Sequence, residues 1–244
     1  MLKITPEEFV RKMGSGGHPI REKNLNFHLR NIFRGYSFDG RTMVDIGGGR
    51  GIYCFYAASQ GATKAVCLEP EASGATSGIS SGFEATKTEF GLPQVDLISK
   101  TYQDYVGDSS KYDLVVMHNS INHLNEEACE KLGLDSESEE IYTDLFREMF
   151  TMMNPGGTLL ACDASCTNYW NQLGFRSPFA KSIEWHKHQE PETWSAMLQN
   201  VGFEQVSISW NSFNSLGGVG RSLLGHRAIA RFFNSHFRLE MRRP

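Results

Sequence analysis

The sequence has no CxxC pair, no long apolar run and no excess of basic charge. Each absence closes off a class of protein. Its five cysteines, Cys54, Cys67, Cys129, Cys162 and Cys166, are odd in number. Three of them, Cys54, Cys67 and Cys162, sit inside apolar runs, where a thiol packs as a small hydrophobe. This pattern is not a disulfide framework, and it reads as a reduced, cytoplasmic protein. No stretch approaches the roughly 20 apolar residues of a membrane span. Met1 to Glu8 alternates polar and apolar residues and lacks a signal peptide's apolar core. With 24 Lys and Arg against 28 Asp and Glu, the net charge is −4, which speaks against a general nucleic-acid binder. Internal repeats and low-complexity tails are also missing. The expected partners are therefore a small molecule, with no nucleic acid and no membrane, and the expected assembly is a monomer or homodimer.

What is present is an ordinary globular composition, 40% hydrophobic and 21% charged over 244 residues, enough for one well-filled α/β domain. Apolar runs alternate with amphipathic stretches, the pattern of a parallel sheet covered by helices. Helices are predicted at 6–13 and 21–34, either side of Gly14-Ser15-Gly16-Gly17, and strand one at Thr42 to Ile46. A short helix at 52–59 stops before Gly61. Strand two covers Ala65 to Leu68, and a helix of small residues follows Pro70 as far as Gly91. Strands three and four are predicted at Val95 to Ser99 and Asp113 to Met117. A helix at 139–153 carries Ile141, Leu145, Met149 and Met152 on one stripe, and Asn154-Pro155-Gly156-Gly157 ends it before strand five, Thr158 to Cys162. Residues 164–190 are irregular. A helix starts near Pro191 and stops at Gly202. Strand six is Glu204 to Trp210, an excursion over 211–220 leads to a helix at 221–233, and a last strand lies near 236–242.

The strongest signal is Val44-Asp45-Ile46-Gly47-Gly48-Gly49-Arg50-Gly51, a strand running into a glycine turn. Glycines at 47, 49 and 51 remove side chains where a ligand must approach and permit positive φ. The next helix then aims its first N–H groups at the same place. Dinucleotide folds space their glycines G-x-G-x-x-G, whereas here the spacing is G-x-G-x-G. Asp45, two residues before the first glycine, would repel a diphosphate and suits a cationic ligand. Eighteen residues after Gly51, Glu69 ends strand two, where an acid accepts both hydroxyls of a ribose.

Asp45 to Gly51, Glu69, the strand-four stretch Tyr112 to Leu124 and Asn154 to Gly157 together resemble class I S-adenosylmethionine-dependent methyltransferases. The likeness in element order spans roughly residues 20–242. It implies a Rossmann-like, seven-stranded, mostly parallel sheet with helices on both faces and an antiparallel last strand. It implies one domain over 1–244, with N-terminal helices in 1–40, a cofactor-binding core in 41–164, and a substrate-side segment, lid and last strands in 165–244. S-adenosylmethionine would lie against Asp45, Gly47, Gly48 and Gly49 at its methionine end and against Glu69 and Pro70 at its ribose. Tyr102 and Gln103 stand where the family contacts adenine, and His118 and Asn119 beside the methyl group.

Methyl transfer to a hydroxyl needs alignment and a base. The candidates are His118, at the end of strand four, His123, in a His-Leu pair at a helix start, and His186 of the Glu184-Trp185-His186-Lys187-His188-Gln189 cluster. His186 and His188 face one way on an extended backbone; Trp185, Tyr169, Trp170 and Phe179 supply apolar walls. Asp163, just past strand five, would orient a histidine. A metal held by these histidines and Asp163 is disfavoured, since HExxH is absent and His-x-His alone is a weak pattern. Arg227 and Arg231 share a helix face and would suit a solvated surface or an anionic substrate group, while Gly217, Gly218, Gly220 and Gly225 would let this segment move as a cover.

Strand four does not lead into Asn/Asp-Pro-Pro-aromatic, which argues against amino-methylation of nucleic acids or glutamine. No Pro-Cys follows it either, so a covalent cytosine mechanism lacks its nucleophile. The expected activity is methyl transfer to a small-molecule acceptor, at oxygen in preference to nitrogen. The rival readings are a nicotinamide-dependent oxidoreductase and a non-catalytic cofactor-binding relative.

Overall fold

Short aliphatic runs that end in glycine or a polar turn become strands, and the amphipathic stretches between them become helices. The computed structural model describes residues 3–15, 21–70, 78–106, 110–211 and 213–244. Its strands form one seven-stranded sheet, in the order Val95–Ile98 (β3), Lys64–Leu68 (β2), Thr42–Ile46 (β1), Tyr112–His118 (β4), Met153–Ala164 (β5), His236–Arg242 (β7) and Glu204–Trp210 (β6). The chain falls into two compact units, Met1–Val116 and Met117–Pro244.

The first unit runs α1 (Pro6–Ser15), α2 (Glu22–Ile32), β1 (Thr42–Ile46), α3 (Ile52–Ser59), β2 (Lys64–Leu68), α4 (Ile79–Phe90), β3 (Val95–Ile98), α5 (Tyr102–Tyr105) and the start of β4 (Tyr112–His118). β1 and β2 pair in parallel with Asp45 opposite Cys67, and β2 and β3 with Cys67 opposite Leu97. α3 is apolar all round and is buried from Tyr53 to Ser59, as a helix without a polar face must be. Phe9, Phe33 and Phe38 each pack a ring on Tyr56 of α3, at centroid distances of 5.4, 5.8 and 5.8 Å. α3 and the glycine turn before it are thereby fixed from the N-terminal side. Gly16, Gly17 and the first part of the predicted small-residue helix, 71–77, lie outside the described residues.

The second unit contains α6 (Glu126–Lys131), α7 (Ser136–Thr151), β5 (Met153–Ala164), α8 (Tyr169–Gln172), α9 (Pro191–Val201), β6 (Glu204–Trp210), α10 (Gly217–Leu224), α11 (Arg227–Phe232) and β7 (His236–Arg242). β7 is antiparallel to both neighbours, pairing Thr158 with Arg242 and Ala164 with His236 on one side and Trp210 with Phe237 on the other. This is the antiparallel ending the sequence implied.

Three elements differ from the sequence reading. Asn154-Pro155-Gly156-Gly157 does not stop the chain before β5 but lies inside it. Gly156 N–H donates to the Arg243 carbonyl at 2.8 Å, and Arg243 N–H donates to the Gly157 carbonyl at 2.9 Å. A neighbouring strand thus satisfies backbone that turn residues would otherwise leave to water. α7 starts earlier than predicted because Asp135 caps it, its Oδ1 accepting the Ser138 N–H at 2.8 Å. The single helix predicted at 221–233 is two, divided at Gly225-His226. A Cβ at Gly225 would lie 2.3 Å from the Arg221 carbonyl oxygen, so the break admits only glycine. The sequence reading gave no range for α6, placing only a helix start at His123-Leu124, and missed α5 and α8; all three are one or two turns long and are started by capping side chains, Asn125, Thr101 and Asn168.

Candidate active site

In the first unit, β1 delivers Asp45 to the base of the glycine turn. The carboxylate is 1% exposed, and neither oxygen has a hydrogen-bond partner among the described residues. A Cβ on Gly48 would lie 2.7 Å from Asp45 Oδ2 and 2.8 Å from Cys67 Sγ. The turn therefore rests directly on the Asp45 carboxylate, and no side chain fits at position 48. Gly47, Gly49 and Gly51 all have positive φ, at 72°, 53° and 73°, which ordinary residues resist. Glu69, at the end of β2, accepts the Gly49 N–H on Oε2 at 2.9 Å, so a second carboxylate is fastened to the same turn. Burial, then the nearby Glu69 charge, pushes Asp45 up from the usual carboxylate range to about 8.

A buried acid without a partner needs a proton or a cation. Two acids at one glycine turn, one of them without a partner, are complementary to a positively charged ligand. Both features fit the sulfonium and ammonium of S-adenosylmethionine. Of the other residues assigned to that ligand, Pro70 is exposed just beyond Glu69, Tyr102 is buried on α5 and Gln103 is exposed beside it.

In the second unit, a cavity of about 440 Å³ is lined by Asn119, Asn122, Asp163, His188 and His236, with Phe179 and Ile183 as apolar walls. That volume suits a small molecule. Asp163, at the end of β5, is almost fully buried, and its Oδ1 accepts the Ala164 N–H at 2.6 Å. The same oxygen lies 3.1 Å from Nδ1 of His188. The approach is close enough for an ion pair but not aligned as a hydrogen bond, and His188 Nδ1 and Asp163 Oδ2 have no hydrogen-bond partner among the described residues. His236 opens β7 and is brought beside the end of β5 by its register with Ala164. Its Nε2 lies 2.7 Å from Asn119 Oδ1. That oxygen only accepts, so Nε2 carries the proton and Nδ1 the lone pair. Burial pushes the His236 imidazole below its ordinary value; Asp163 opposes this and His188 reinforces it.

Asn119 adopts φ 55°, and its N–H donates to the Cys162 carbonyl at 2.8 Å. The stretch after it is held by Tyr142 of α7, whose hydroxyl lies 3.1, 3.1 and 3.2 Å from the carbonyls of Ile121, Asn122 and Asn125. A buried aromatic hydroxyl thus fixes the segment that presents Asn122 and His123 to the cavity.

Of the three histidines proposed from sequence, His118 is half-buried, with its ring 5.6 Å from that of His236. His123 lines the cavity but is turned toward Glu126 Oε1, 2.6 Å from its Nδ1. His186 is exposed, 3.8 Å from Glu130, and does not line the cavity. His188, the other half of the His-x-His pair, faces Asp163 instead. The alternation expected of an extended chain fails because Trp185–Lys187 forms a 3-10 turn. His236 was missed as a site residue; its only signal was its place at the head of the last strand, which returns beside β5. Arg227 and Arg231 are not left for a substrate anion, since they pair with Glu192 at 2.9 Å and Glu190 at 2.7 Å.

The family model described as "Methyltransferase domain" matches residues 20–208. The chain belongs to this methyltransferase family, and its sheet is that of the class I S-adenosylmethionine-dependent fold. Among solved structures it resembles a SAM-dependent methyltransferase from Aquifex aeolicus, at 13% identity over 99% of this chain and 100% of that one, with a TM-score of 0.61. It also resembles an S-adenosylmethionine-dependent methyltransferase from Mesorhizobium loti, at 13% identity over 90% and 98%, with a TM-score of 0.60. A third similar structure is the cyclopropane synthase MmaA2 from Mycobacterium tuberculosis, at 11% identity over 88% and 82%, with a TM-score of 0.57. At these identities the likeness is one of fold. No curated protein matches the chain.

Proposed function

We propose that the chain binds S-adenosylmethionine at the glycine turn and methylates a hydroxyl group of a small molecule held in the cavity of the second unit. Asp45 and the backbone of Gly47, Gly48 and Gly49 would hold the cationic methionine end, and Glu69 the ribose. Tyr102 and Gln103 would serve the adenine, and His118 and Asn119 the methyl end. When bound, the cofactor supplies an electrophilic methyl group on a sulfonium. The chain's own residues must then align the acceptor and take up its proton.

The observation that carries the oxygen-directed reading is the Asp163–His188 pair at a cavity that also holds His236. A buried carboxylate beside Nδ1 favours the tautomer with its proton on that nitrogen, leaving Nε2 to accept a proton from the substrate hydroxyl. Once His188 is protonated, Asp163 stabilises the charge. His236, with a depressed affinity for protons, stays neutral near pH 7. It and Asn119 offer an acceptor and a donor that would orient the substrate.

The test is transfer of labelled methyl from S-adenosylmethionine to a panel of phenols, alcohols and amines, by the wild type and by His188→Asn. Hydroxyl acceptors should be methylated by the wild type, with turnover falling about 10²-fold or more in the variant while cofactor affinity is kept. Transfer confined to amines, or unaffected by His188→Asn, would overturn the reading.

A further inference from the structure

The second unit holds another cavity, of about 420 Å³, lined by Tyr169, Trp170, Gln172, Leu173 and Phe232. Its chemistry differs from that of the cavity around Asp163 and His188. There, carboxylate, imidazole and amide groups line the walls. Here, four of the five side chains are aromatic or aliphatic. The indole donor is already used, since Trp170 Nε1 donates to the Phe232 carbonyl at 2.8 Å. Trp170 therefore brings apolar surface and no free donor. Its ring meets that of Phe232 at 5.1 Å. Leu173 is 70% exposed and Phe232 42%, and apolar side chains grouped at a cavity and left to water mark a binding surface.

Two pieces of chain join the two cavities. Phe179 lines the polar one, and its ring lies 6.0 Å from that of Phe232, which lines the apolar one. Phe232 also stands two residues before Asn234 and four before His236, both of which line the polar cavity. Two residues of chain span at most about 7 Å. The cavities are thus neighbours that meet at the Phe179–Phe232 contact, within the reach of one small molecule.

We propose that the methyl acceptor is amphipathic: its hydroxyl lies at His188, and an alkyl or aryl group bonded to it extends past Phe179 into the cavity of Tyr169, Trp170, Leu173 and Phe232. This rests on the hydroxyl-methylating reading above and adds to it the class of substrate. An apolar hole of about 150 Å³ is enough for benzene, so the apolar cavity has room for a ring or for a chain of several carbons. Filling it takes the surfaces of Leu173 and Phe232 out of water, which favours binding. A lining with so few hydrogen-bonding groups leaves a charge or a run of hydroxyls poorly solvated. Acceptors that are polar throughout are therefore disfavoured.

The test uses phenol and its para-ethyl, para-butyl and para-hexyl derivatives. Each is titrated calorimetrically into the full chain with excess S-adenosylhomocysteine, and each is assayed as an acceptor of labelled methyl from S-adenosylmethionine. Every added methylene should lower both Kd and KM about fourfold and leave kcat little changed. Leu173→Glu and, independently, Gln172→Glu place a carboxylate in the apolar lining and should flatten both series. Both positions are exposed. The loss should grow with the length of the alkyl group, a dependence that misfolding does not produce. A Kd that stays constant along the series, or a gain per methylene that both variants keep, would overturn the proposal. So would a gain in Kd with none in KM, because the apolar cavity would then bind apart from the reaction. A gain in Kd that the variants remove, with no hydroxyl acceptor methylated, would refute the hydroxyl reading and leave the apolar cavity supported.

Discussion

Replacing Asp45 by asparagine should move protein stability and cofactor affinity in opposite directions. The folded chain holds the Asp45 proton up to a pH of about 8, whereas an unfolded chain gives it up near the ordinary carboxylate value of about 3.9. Between those limits the native state binds more protons than the unfolded one. Ligand-free stability must therefore fall as pH rises through the window, by up to about 1.4 kcal/mol per pH unit. Asparagine removes that slope, so the variant should melt above the wild type at pH 8. A cationic ligand favours the ionised carboxylate. At pH 7 most of the free protein carries the proton, so S-adenosylmethionine binding should release close to one proton. Affinity should drop about tenfold, or about 1.4 kcal/mol, from pH 7 to pH 6. Calorimetry in two buffers of different ionisation enthalpy measures the proton release, and a melting series over pH measures the stability term. Asp45→Asn should abolish the release and weaken binding. A wild type that binds without releasing a proton, and a variant with unchanged affinity, would refute the reasoning.

Other perturbations test other parts of the site. Gly48→Ala forces its Cβ against Asp45 Oδ2 and Cys67 Sγ at under 3 Å. It should cost about 1–3 kcal/mol of stability, read from a denaturant titration, and lower S-adenosylmethionine affinity more than tenfold. Asp163→Asn should lower turnover about 10²-fold or more and leave cofactor affinity unchanged, as separate kinetic and binding measurements would show. Because His236 resists protonation, the stability it confers is complete above about pH 6.5 and is lost as pH falls below that value, where the unfolded chain takes up the proton. His236→Gln should flatten the melting temperature across pH 5–7. Tyr142→Phe strips the hydroxyl from the carbonyls of Ile121, Asn122 and Asn125; it should cost about 1–2 kcal/mol and raise the acceptor's KM more than the cofactor's.

The first unit was the more legible part of the chain. β1 and α3 run as the sequence predicted, because Thr42 to Ile46 is a short aliphatic run ended by glycine and 52–59 is apolar all round. The position of Asp45 and Glu69 at the glycine turn was legible from their distance to Gly47 and Gly51, since one strand–turn–helix unit fixes where its ends point. β6 and β7 were also placed correctly, with polar residues and glycines marking their ends. The errors fall where distant chain decides local structure. Asn154 to Gly157 looks like a turn until Arg243 supplies strand partners. The His188–Asp163 approach and the presence of His236 beside it depend on strand register and on a 3-10 turn at Trp185–Lys187. Neither leaves a periodic trace in sequence. His186 was favoured over His188 because alternation on an extended chain cannot tell which of two like residues meets a carboxylate.

The account rests on a glycine turn built for a cation. Calorimetric titration of the purified chain with S-adenosylmethionine, and separately with NADH, puts that to the test. One equivalent of S-adenosylmethionine should bind, Glu69→Ala should weaken it at least about tenfold, and NADH should give no heat. Saturable binding of NADH that Glu69→Ala abolishes, with no binding of S-adenosylmethionine, would contradict it.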